Sequence, residues 1–173
     1  MRHFVAPVLV ALLSACATMQ GPQTITLSTA EIERLIQIDL GGVLEMFKGV
    51  DAHRPEVSLM PASERLLLEW KFTLPDGPTG SPVGVVVEVS GKPVLNASRN
   101  GIDLAQAQIE DVRLAGLLRF LSLSRLVDQK GMTLPDLPLM TLPADRLRQS
   151  NVAYVATGVT VGFTGLRIDI VPR

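Results

Sequence analysis

Catalytic and metal centres are usually built from histidine, cysteine and paired carboxylates. This chain holds only His3, His53 and Cys16 of the first two. His53 lies in Val50-Asp51-Ala52-His53-Arg54-Pro55, which the proline marks as a loop. A lone histidine there cannot assemble a zinc site, which takes three or four ligands, so no metal or other cofactor is implied. Ser81, in Gly80-Ser81-Pro82-Val83-Gly84, is misplaced for a nucleophile elbow, where serine sits midway between the glycines. No phosphate-cradling glycine motif occurs. Glu110 and Asp111 are adjacent, and strand alternation would send them to opposite faces. Glu69 and Glu88 fall on the polar sides of their strands, as solvated residues do. Asp39 falls inside an apolar helical stripe; it reads as a rim acid reaching water, or as the partner of an arginine, ahead of a ligand contact. These residues do not make an enzyme site.

Cys16 has a different chemistry. Met1-Arg2-His3 is a basic start and Phe4–Leu13 an apolar run, too short for the roughly 20 residues of a membrane span and suited to a secretory signal. Leu13-Ser14-Ala15-Cys16 follows directly and resembles the lipobox of bacterial lipoproteins. The alternative, an ordinary signal with a chance or buried cysteine, is weaker because buried cysteines rarely sit at this point. The resemblance implies a signal peptide over 1–15, diacylglycerol on Cys16 and acylation of its freed amine. One chain alone anchors marginally, and additional chains anchor firmly. Residues 16–23 would form the lipidated cysteine and tether, and 24–173 one globular domain. Lipoprotein sorting holds back chains with Asp after the cysteine. Ala17 stands there, so the periplasmic face of the outer membrane is expected. Cys16 is the only cysteine, so no disulfide forms within the chain. Without residues 1–15 the balance is 15 basic against 17 acidic residues. Such a chain has no basic patch for nucleic acid.

Thr24–Leu27 alternates like a short strand. Ser28 and Glu31 form a capping box. Ile32, Leu35, Ile36, Leu40, Val43, Leu44 and Phe47 form a stripe of helical period, predicting a helix over 29–47 that Gly41-Gly42 could kink. Leu66, Leu68, Trp70, Phe72 and Leu74 alternate as a half-buried strand. Asp76–Gly80 is a turn, Val83, Val85, Val87 and Val89 alternate again, and Gly91-Lys92-Pro93 reads as the next turn. Ile102 and Leu104 start a run that Ala105, Ala107 and Ile109 continue in the opposite phase, which signals a bulge or strong bend. Short links make this sheet an antiparallel meander. Leu114–Val127 reads as a second helix. Leu134–Pro143, with three prolines, should be extended and excluded from a sheet interior. Asp145–Ala156 is weakly helical, and Val159–Ile170 is a terminal hairpin. The fold class is α+β, an amphipathic N-terminal helix on a strongly bent antiparallel sheet.

Two alternatives follow for the aromatic residues Trp70, Phe72, Tyr154 and Phe163: core packing, or the lining of an apolar cavity. The start Thr24-Ile25-Thr26-Leu27-Ser28, Glu31-Ile32 opening a helix, the long strands and the end Leu166-Arg167-Ile168-Asp169-Ile170 together resemble the YceB-like family of bacterial lipoproteins. That family is similar to the tubular lipid-binding (TULIP) domains, in which a bent sheet cradles a long helix over an apolar groove. The resemblance implies lipid binding and no catalytic residues; the Leu134–Pro143 stretch departs from it. The expected function is a monomeric, non-catalytic domain for lipid or another apolar ligand, lined by Leu66, Leu68, Trp70, Phe72, Val85 and Val87. The alternative is a closed-core structural or partner-binding envelope lipoprotein.

Overall fold

The computed structural model describes residues 21–40, 53–74, 82–114, 130–149 and 151–173. Its elements are β1 (Gln23–Leu27), α1 (Thr29–Leu35), β2 (Glu56–Met60), β3 (Arg65–Leu74), β4 (Val83–Asn96), β5 (Gly101–Leu114), β6 (Leu137–Thr141), β7 (Arg148–Gln149), β8 (Val152–Val161) and β9 (Leu166–Pro172). Among described residues strand accounts for 62% and helix for 9%, so the expected α+β class is corrected to a mostly β fold. Of the second helix predicted over Leu114–Val127, Leu114 instead ends β5, and 115–127 lie outside the described residues. Cys16, the leader, Gly41-Gly42 and Asp76–Gly80 lie outside them too. Gln23, placed in the tether by the sequence, already belongs to β1.

The first sheet is the predicted meander, in the order β2-β3-β4-β5-β6, and it curls into a half-barrel. The second has the order β1-β9-β8-β7, with the predicted β8–β9 hairpin at its centre. The segment read as weakly helical, Asp145–Ala156, instead runs through a turn into β7 and β8. Both sheets share one hydrophobic core, and β8 packs against β4.

The curl originates in β5. Its buried positions run Ile102 and Leu104, then Ala107 and Ile109, then Val112 and Leu114. Each change of phase coincides with a register shift against β4, at Ser90/Lys92 and at Glu88/Val89. An extra residue on one strand bends it and increases its twist. Gln106 absorbs the first bulge at φ 50°. The sequence shows the first slip plainly; the second is masked by Glu110-Asp111. At that second bulge both acids stand on the polar face, correcting their expected placement on opposite faces. Glu110 accepts from the buried Ser90 hydroxyl, and Asp111 pairs with Arg113.

Gly91-Lys92-Pro93 is not a turn. β4 continues to Asn96, and the reversal falls at 97–100. β3 ends its pairing at Gly91 opposite Leu66, so Pro93 faces only β5 and its missing N–H deprives no neighbour on the β3 side. Gly91 is required because a Cβ there would overlap the Leu104 side chain.

The helix is shorter than its periodicity predicts. Ser28 and Glu31 make the capping box as expected, but α1 ends at Leu35, and Ile36 turns to ψ 131°. From Ile36 the chain runs extended, and the Gln37 N–H donates to the Leu139 carbonyl on β6 at 2.9 Å. Ile38 and Leu40 are buried while Asp39 is exposed. Asp39 therefore reaches water, the first of its two structural readings. On the other side of α1, Glu33 accepts from the Val57 N–H of β2 at 3.0 Å. β2 and β6 are the two edges of the curled sheet, so one short segment closes both and occupies edge groups that would otherwise invite another chain. β6 carries the proline-rich stretch at an edge, where prolines are tolerated.

Candidate functional site

The register of β3 on β4 brings the six predicted lining residues together on the concave face. Trp70 lies opposite Val87, Phe72 opposite Val85, and Leu68 opposite Val89. Leu66, Leu68, Val85 and Val87 are 0% exposed, Trp70 and Phe72 1%. At such values these side chains are packed against other core residues. The sequence missed the β5 wall of this face. Val112 and Leu114 lie opposite Val87 and Val85, in the phase that the second bulge restores; their alternation was the available signal.

The convex face has the opposite character. Glu56, Glu69, Glu88 and Asp111 lie directly opposite one another across four strands. Like charges in such a row repel; two cations bridge them and a third lies at the end of the row. Lys71 pairs with Glu56 and Glu69. Arg113 reaches Glu69 at 2.8 Å, Asp111 at 3.1 Å, and Glu88. Lys130 lies 3.7 Å from Asp111. Hydrogen bonding to Glu88 chiefly raises the Arg113 pKa above its ordinary value, and hydrogen bonding to Glu56 does the same for Lys71. The row is thus a charge-compensated outer surface. Beside it, Arg65 donates twice to Ser90 Oγ, at 3.0 and 2.7 Å, and Ser90 donates to Glu110. This triad ties β3 and β4 to the bulge of β5. His53 is exposed ahead of β2, and its N–H donates to the Lys71 carbonyl. Among the described residues, no group of three His, Cys, Asp or Glu side chains could hold a metal ion, and no helix is long and apolar enough to cross a membrane.

A groove of about 220 Å3 opens between α1 and the turn following β6. Leu27, Leu35 and Pro143 give it an apolar floor, and Glu31, Arg34, Asp145 and Arg146 line its walls. Glu31 accepts from the Ser28 N–H and hydroxyl, which hold its carboxyl below the ordinary 4.5, and it also pairs with Arg146. None of the six predicted lining residues touches this groove. Phe163, grouped by the sequence with the possible core aromatics, stands 91% exposed at the tip of the β8–β9 hairpin. No family model, curated protein or solved structure matches the chain.

Proposed function

We propose that this chain is a lipoprotein acylated at Cys16, held on the periplasmic face of the outer membrane, whose curled sheet is a non-catalytic binding domain for an apolar ligand of the acyl-chain class. The concave face carries the reading. Three long strands, β3, β4 and β5, present a continuous apolar surface on a half-barrel, and α1 bridges the two sheet edges. A curved, two-edged sheet with a short closing segment can part along that segment without breaking a strand ladder. The lipobox, and the resemblance of the Thr24–Ile32 start and Leu166–Ile170 end to the YceB-like lipoproteins, support the same reading. One observation favours a second reading, a closed-core envelope lipoprotein without ligand: the six lining residues are 0–1% exposed.

Two experiments test the parts separately. Growth with a palmitate analogue should label the wild type, while Cys16→Ser should remain an unlabelled, uncleaved precursor; label on the serine variant would remove the anchor. Native mass spectrometry of the mature lipoprotein from its host should show a lipid-sized adduct beyond the covalent anchor. Absence of any adduct selects the closed-core reading.

A further inference from the structure

The groove beside α1 is chemically unlike the concave face and shares none of its six residues. Two of its four charged side chains neutralise one another, since Arg146 donates to Glu31. The other two are Arg34 and Asp145. Arg34 commits only Nε, to the Ala30 carbonyl at 3.1 Å. Its terminal nitrogens make no hydrogen bond or salt bridge among the described residues, although its charge, like that of Arg146, acts on Glu31; the Asp145 carboxylate makes none either. A cation with free terminal donors and an anion with free oxygens, above an apolar floor, complement a small zwitterion. The volume of about 220 Å3 falls below the roughly 300–1,000 Å3 of pockets for drug-sized ligands. It suits a group of headgroup size.

We propose that this groove binds a phosphoethanolamine group. Arg34 presents its planar fork to the phosphate, a geometry it satisfies with two parallel hydrogen bonds. Asp145 accepts from the ammonium, and the two methylene groups lie on Leu35 and Pro143. The surroundings favour a phosphate carried by a bilayer lipid. Gly165, in the same hairpin turn as the exposed Phe163, stands so close to Leu27, which lines the groove, that a Cβ would overlap the Leu27 carbonyl oxygen. An exposed aromatic on the hairpin that packs against the groove's Leu27 is suited to the membrane interface. The same chemistry would also accept free phosphoethanolamine. This site does not depend on the acyl-chain reading of the sheet, and either can fail alone.

The test is calorimetric titration of O-phosphoethanolamine into the full lipoprotein, reconstituted in nanodiscs of phosphatidylcholine. Saturable 1:1 binding is expected. Arg34→Gln and Asp145→Asn, both at exposed positions, should each weaken it about tenfold or more, as loss of one charge-assisted contact does, with an unchanged melting temperature. Inorganic phosphate should bind more weakly and be indifferent to Asp145→Asn. In discs containing phosphatidylethanolamine the soluble probe should lose apparent affinity by competition, and Phe163→Ser should restore it. Equal affinity in both discs would assign the site to a free molecule of the same chemistry. Absence of saturable binding, or binding unaffected by both substitutions, overturns the proposal. A loss with Arg34→Gln but not with Asp145→Asn also overturns it, leaving a plain anion site.

Discussion

Trp70→Ala should be among the most destabilising single truncations in the sheet, at about 3–5 kcal/mol. Trp70 is the largest of the fully buried side chains and sits mid-strand opposite Val87. Its neighbours belong to ladders on both sides, so they cannot collapse into the vacated volume without breaking register. For a domain of this size the loss corresponds to a drop on the order of 10 °C in melting temperature. Thr73→Ala, exposed on the other face of the same strand, should stay within about 0.5 kcal/mol. Thermal melts of the two variants check the contrast, and equal losses would mean that the face assignment of β3 is wrong. Scoring bound lipid on the same samples separates the two functional readings. A sheet that holds an acyl chain changes its lipid occupancy when Trp70 is cut, whereas a closed core changes only its stability.

The face of β3 was legible because a half-buried strand writes its orientation into every second residue. Leu66, Leu68, Trp70 and Phe72 are buried, as alternation predicts. The capping box was legible for a similar reason, since both its hydrogen bonds join residues three apart. The length of the helix was not. Ile32, Ile36 and Leu40 fit a helical stripe, yet Ile38 and Leu40 equally fit an extended segment. A tertiary hydrogen bond from Gln37 to Leu139, 102 positions away, accompanies the extended choice. Local pattern carries no information about so distant a carbonyl. The segment after Pro143 failed likewise. Val152–Val161 contains β-branched residues throughout, but Tyr154, Ala156 and Gly158 blur its alternation, and its pairing with β9 carries its own register shift between Ala156 and Gly158. Half of the concave face was read correctly because β3 and β4 keep one phase there. The β5 half was lost because two bulges interrupt its phase. The groove beside α1 was beyond reach, since Arg34 and Asp145 are brought together only by the packing of α1 against β6.

Gly165→Ala should cost at least about 3 kcal/mol, at the upper end of what single substitutions do. The added Cβ would overlap the backbone carbonyl oxygen of Leu27 and approach that residue's carbonyl carbon at 2.8 Å. Backbone cannot step aside as a flexible side chain can. Leu27 pairs with Leu166 at the end of β1, and the Ser28 cap of α1 follows immediately. The clash therefore sits where the second sheet, the helix start and the hairpin tip meet. Gly158, in the same hairpin, is the control. A Cβ there would meet the end of the Asp169 side chain at 3.2 Å, a group that can shift by a few tenths of an ångström. Gly158→Ala also reduces the freedom of the unfolded chain, which offsets about 0.4–1 kcal/mol, so a net change near zero is expected. Urea unfolding of the two variants decides the matter. The Gly165 variant should move its midpoint well below the wild type while the Gly158 variant stays close to it. If both fall equally, the hairpin is intolerant of any side chain, and the close approach of Gly165 to Leu27 is not what holds the second sheet against the helix.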